Sequence, residues 1–208
     1  PEVSAEPPLE ELLDKQRCRP VLLNLHQKRC GPRRARRVPR VLSGTPMASI
    51  PPKLTAATNR GGEYFDLGTY ERQITTSSSE ARIWFNRGLL WAYAFNHLEA
   101  VACFRKAVDA DPDCAMAYWG ISYAGGPYYN KQWHRFDDQD LLRTLSLAYG
   151  AAEEAQRRAA SCSPVEQSLI KALQARYPSR DPDADMSVWN DNYADAMRAV
   201  YSDFPDDL

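Results

Sequence analysis

The sequence predicts an all-α protein, an array of about three helical hairpins preceded by a disordered basic arm. Three observations predict it. Charge divides near residue 60: residues 1–60 hold 12 Lys and Arg against 5 Asp and Glu, while the remainder holds 14 against 22. From Ala81 onward, apolar residues recur at helical spacing in segments separated by turn chemistry. Pro112, Pro164 and Pro205 close successive segments at separations of 52 and 41 residues, each a 34-residue period lengthened by an insert of 18 or 7.

Composition sets the outer limits. A chain of 208 residues, at about 150 per domain, allows one domain with a sizeable extra segment, and 44% hydrophobic with 25% charged residues suits a globular chain. A net charge of -1 excludes a uniformly basic nucleic-acid binder. The longest apolar runs, around Val21–Leu25 and Gly88–Phe95, are too short to span a bilayer.

Residues 1–60 contain nine of the 15 prolines, interleaved with Arg33-Arg34-Ala35-Arg36-Arg37, and lack a persistent apolar period. They read as disordered and dispensable for folding, with 61–80 an extended lead-in and 81–208 the helical part. Lys15–Arg40 carries ten basic residues and no acid, as transit peptides and nuclear signals do, but Glu2, Glu6, Glu10, Glu11 and Asp14 come first. Met47-Ala48-Ser49 has the character of a start, so residues 1–46 read as an extension of the gene model. Cys18, Cys30, Cys103, Cys114 and Cys162 form no CxxC pair and follow no secretory core, which predicts reduced thiols and a cytoplasmic location, or a nuclear or mitochondrial one if residues 1–46 are translated.

The first helix begins near Ser78, behind Ser77 and Glu80 as a capping box, and carries Ile83, Trp84, Gly88, Leu89, Trp91, Ala92 and Phe95 at helical spacing. Asn96-His97 turns the chain. Leu98, Val101, Ala102, Phe104, Arg105 and Val108 then form a second amphipathic helix, stopped by Asp111-Pro112-Asp113. The second hairpin opens on Tyr118, has an insert near 125–142 containing Gly-Gly-Pro-Tyr-Tyr-Asn, and resumes with Ala152 and Ala159 as small contact residues. The third opens at Ser163-Pro164-Val165-Glu166, a cap with Pro at the first helical position, has an insert near 177–183, and ends with a helix over Trp189–Tyr201.

Trp84, Gly88, Trp91, Ala100, Phe104, Ala107 and Pro112 stand at the spacing of the tetratricopeptide repeat, which the hairpin resembles; Trp91 takes the place of a Tyr, and Arg87 stands where Leu is expected. The segments around Phe95–Ala100, Asp111–Gly120 and Gly126–Asn130 also resemble a group of large tetratricopeptide-domain proteins without an assigned reaction. The resemblance covers about Gly62–Leu208 and implies a tetratricopeptide-type α-solenoid. Small Gly88 and Ala100 allow a close helix crossing, with Trp84, Trp91 and Phe104 filling the space around it.

In such arrays the first helix of each hairpin lines a concave groove that takes a peptide or partner helix. The resemblance places Arg82, Phe85, Leu89, Tyr93, Met116, Trp119 and Tyr123 there, an aromatic surface with one cation. Phe85 and Leu89 replace the Lys and Asn needed to clamp an acidic chaperone tail, so that partner is rejected. Aromatic residues at helical spacing also serve as inter-repeat packing, and Phe85, Trp119 and Tyr123 carry that alternative.

Chemistry beyond binding finds little support in the sequence. His97, Cys103, Cys114 and His134 match no zinc spacing. Asp181, Asp183 and Asp185 imitate the opening of a calcium loop, but Met186 replaces the required Gly and Asn192 the bidentate Glu, which leaves turn and capping roles. Gly125-Gly126-Pro127 lacks the Lys and Ser or Thr of a phosphate loop, and three histidines on separate segments suggest no triad. No catalytic residue, metal ligand or cofactor is assigned.

The expected function is a protein-interaction scaffold. The alternatives are an enzyme or small-ligand binder whose insert, with Tyr128, Tyr129, Asn130, Trp133 and His134, forms a lid, and a nucleic-acid binder using the arm. The charge of -8 beyond residue 60 argues against the last. The final hairpin lacks a polar outer helix after it, so Trp189, Tyr193, Met197 and Val200 are expected to face solvent, and the chain to be a fragment that self-associates or frays there.

Overall fold

A computed structural model describes residues 64–207; the arm at 1–60, with its expected disorder, lies outside the described residues. The described part is all-α, built from α1 (Ser79–Tyr93), α2 (His97–Ala110), α3 (Ala115–Gly125), α4 (Asp138–Arg158), α5 (Pro164–Arg176) and α6 (Ser187–Asp203), with single 3-10 turns at Trp133–Arg135 and Ala159–Ser161. Among the described residues no helix is long and apolar enough to cross a membrane.

Local chemistry sets the helix starts. The N-cap of α1 is Ser78, whose hydroxyl accepts from the Ala81 amide at 3.1 Å, one residue later than the expected Ser77 box; Glu80 instead accepts from Trp84 Nε1 at 3.4 Å. Asn96 caps α2 by accepting from the Glu99 amide, and Phe95 makes the turn at φ 62°. Asp137 caps α4 through the Asp140 amide. Ser163 and Glu166 form the expected capping box on α5, with Pro164 at its first position. The inserts run over 126–137 and 177–186, so Leu141 and Leu142, expected in a loop, belong to α4.

Consecutive helices pack in pairs, and α1 also touches α3 as α3 touches α5. Phe104 is buried at the centre of the first hairpin. A Cβ added to Gly88 would lie 2.7 Å from its ring. Trp84 and Trp91, expected beside Phe104 inside the crossing, are only half-buried at the edge of the core, and Ile83 and Leu98 are exposed.

Residues 64–78 are not helical; they pack along the helices. The Tyr64 hydroxyl accepts from Trp91 Nε1 at 2.5 Å and lies 2.9 Å from Cys103 Sγ, while the Arg87 guanidinium stacks over the Tyr64 and Trp84 rings at 4.1 and 4.6 Å. Arg87 and Trp91, the two departures from the repeat pattern, are thus both partners of the lead-in. Burial pushes the Tyr64 phenol strongly upward, so it stays protonated.

The final helix is exposed only in part: Val188 and Tyr201 face solvent, but the residues expected there are covered to different degrees. Trp189 is 6% exposed, packed edge-on against Trp133 at 5.7 Å, and Tyr193, Met197 and Val200 are half-buried. The 126–137 insert supplies Trp133, which shields a surface that a neighbouring helix was expected to cover.

Candidate functional site

The last turns of three helices meet at one cavity. Tyr93 ends α1, Tyr123 lies in the last turn of α3, and Arg176 ends α5. With Phe95, His97, Pro127, Tyr128 and Tyr129 they line a cavity of about 310 Å³. All three first helices therefore point their C-terminal ends at the same space.

Arg176 organises the wall. Its guanidinium donates to the carbonyls of Tyr123 at 3.3 Å and Pro127 at 2.5 Å, and stands 4.9 Å from the Tyr193 ring centroid. A cation at the C-terminal end of a helix complements the unpaired carbonyls there. The same side chain holds the start of the insert against α3 and α5.

The insert closes the other side. Tyr128 pairs with Lys131 through two backbone hydrogen bonds, and its ring stacks on His97 with centroids 4.0 Å apart. Among the described residues neither ring nitrogen of His97 has a hydrogen-bond partner. Burial, and then the nearby Arg176 charge, hold the His97 pKa below its usual value, so the ring is neutral near pH 7. Tyr93 packs edge-on against Tyr70 of the lead-in, and burial pushes its phenol up to about 12. The walls are aromatic with polar tips, suited to an apolar or aromatic group that brings hydrogen-bonding partners of its own.

The expected groove residues divide. Tyr93 and Tyr123 line the cavity. Phe85, Leu89 and Met116 are buried and cannot meet a partner: Phe85 packs against Phe104 with centroids 5.4 Å apart, inside the first hairpin. Trp119 is buried between α3 and α5, its Nε1 donating to the Leu169 carbonyl at 3.3 Å. Arg82 is half-buried and lines no part of the cavity. The physical reason is that two helix faces are covered in a stacked hairpin, and the apolar period does not say which one stays open. The sequence did not single out Arg176, although a basic residue in the last turn of a helix is a recognisable signal.

Other candidates lie apart. Cys103, Cys114 and Cys162 are buried free thiols, each pushed up to about 11 by burial. Among the described residues no group of three or more His, Cys, Asp or Glu side chains stands close enough to hold a metal ion. Asp181 accepts from the Asp183 amide and Asp185 from the Ser187 amide and hydroxyl, which are turn contacts. Compared with family models, with curated proteins and with solved structures, the chain matches none.

Proposed function

We propose that the six helices form a tetratricopeptide-type solenoid and that the chain is a protein-interaction scaffold, binding a peptide or partner helix on the surface formed by α1, α3 and α5. The observation that carries this reading is the convergence of Tyr93, Tyr123 and Arg176 from the ends of those three helices. Residues from the last turns of three helices would serve one ligand, as expected where neighbouring helices share a binding face. The bound group would be an apolar or aromatic side chain, laid against the tyrosine rings. Buried free thiols suit a reducing compartment, and a cytoplasmic location belongs to the same proposal.

Selection of a random peptide library on the full chain tests it. Enriched peptides are expected to lose at least about tenfold in affinity on Tyr128→Ser with Tyr93→Ser, with circular dichroism unchanged. Equal binding by this variant would refute the assignment of the site.

A second reading has one observation in its favour: Pro127, Tyr128 and Tyr129 of the insert form part of the cavity wall, as a lid over a small ligand would. Binding of free aromatic compounds, lost in the same variant, with no peptide enriched, would favour it. The nucleic-acid reading rests on the arm, outside the described residues.

A further inference from the structure

The lead-in runs along the surface assigned to the partner. Tyr70 packs on Tyr93 with ring centroids 6.1 Å apart, the Arg72 amide donates to Asn86 Oδ1 at 2.8 Å, and Ser78 caps the start of α1. Rising residue numbers in the lead-in meet falling numbers in α1, so the segment lies antiparallel to that helix. It begins beside the cavity lined by Tyr93.

The segment is held from the third hairpin as well. The Thr75 amide and hydroxyl donate to Glu166 Oε1 and Oε2 at 2.7 and 2.5 Å, and the Arg72 guanidinium reaches Asp207, beyond α6, at 2.5 Å. The Thr76 hydroxyl donates to Asp111. Ile74 is buried in the main core. The segment therefore spans from the first hairpin to the third, and the receiving side chains, Asn86, Asp111 and Glu166, all act as acceptors.

From this geometry we infer that residues 70–76 are an internal occupant of the peptide surface, and that a partner docks by displacing them with an extended segment of matching chemistry. That segment is neutral or basic, with an aliphatic residue followed by two hydroxyl residues in the order Ile74-Thr75-Thr76. The backbone amides at 72 and 75 bind Asn86 and Glu166 whatever their side chains, which lets a foreign strand take over those bonds. Three acceptors, two of them carboxylates, exclude an acidic segment, because like charges would meet at Asp111 and Glu166. This inference rests on the peptide-binding reading above.

The test uses the full chain, a labelled peptide of residues 69–77, and a copy of that peptide with Thr75→Glu and Thr76→Glu. Displacing an occupant reduces apparent affinity by the fraction of open molecules, so the chain carrying Ile74→Ser with Thr75→Val is expected to bind the native-sequence peptide at least about tenfold more tightly than the unaltered chain does. The acidic copy is expected to bind neither chain. Equal affinity for both chains, or binding of the acidic copy to the variant, overturns the inference.

Should that variant unfold, native-state hydrogen exchange on the unaltered chain decides. Amides of Arg72 and Thr75 are expected to exchange at least about tenfold faster than those of Leu89 and Phe104, since a displaceable strand opens without global unfolding. Equal protection would make the segment a fixed part of the core. Library peptides that require Tyr128 yet leave the Arg72 and Thr75 amides protected when bound would preserve the peptide-binding reading and overturn the displacement.

Discussion

The ring of Phe104 occupies the space that a side chain on Gly88 would need: a Cβ there would stand 2.7 Å from Cε1. On the neighbouring helix α3, a Cβ on Gly120 would meet the same ring. One phenyl ring, fully buried, thus fixes the spacing of α1, α2 and α3.

Gly120→Ala and Gly88→Leu should therefore each destabilise the fold by about 1–3 kcal/mol, the cost of overpacking a filled core. Urea denaturation measures it. Phe104→Leu in the Gly120→Ala background should recover part of the loss; no recovery would mean that the ring is not the obstacle.

Glu166 is a buried carboxylate that receives the amide and hydroxyl of Ser163 as well as those of Thr75. Glu166→Gln replaces an acceptor-only group with one that also donates, and should cost about 2 kcal/mol in the same assay, the scale of hydrogen bonds to a charged group. Glu80→Gln, on the exposed side of α1, should be near neutral.

His97 predicts a pH dependence of stability. Its pKa is depressed in the folded chain, so the unfolded chain binds a proton first as pH falls through about 6.5, and folding weakens from there downward. Thermal melts between pH 7.5 and 5.5 should show this decline. His97→Gln should flatten it; an unchanged slope would assign the effect to other groups.

Burial raises the thiol pKa of Cys103, Cys114 and Cys162 to about 11, which lowers the reactive thiolate about 100-fold relative to an ordinary cysteine. Iodoacetamide labelling followed by mass spectrometry should find these three sites slow in the native chain and fast in urea. Rapid native labelling at Cys103 would show that Tyr64 does not cover it.

The sequence by itself determined the helical segments and several of their ends: the start near Ser78, the box of Ser163 with Glu166, and the stop at Asp111-Pro112 are local devices, complete within a few residues, whereas the start of α4 at Asp138, inside the expected insert, was not read from it. It also pointed to a close helix crossing at the small residues Gly88 and Ala100, with Phe104 among the residues filling the space around it; that the Phe104 ring itself abuts Gly88 is a tertiary fact. Only the tertiary structure decided which faces remain open. Phe85, Leu89 and Met116 share the helical spacing of Tyr93 and Tyr123, but only the latter two line the cavity, since exposure depends on what packs against a helix from elsewhere in the chain. The same holds for the lead-in, whose bonds to Glu166 and Asp207 join residues 91 and 135 positions apart, and for Trp133, which an irregular insert carries onto Trp189. No periodicity encodes such pairings, because they arise from where the folded helices bring distant segments together.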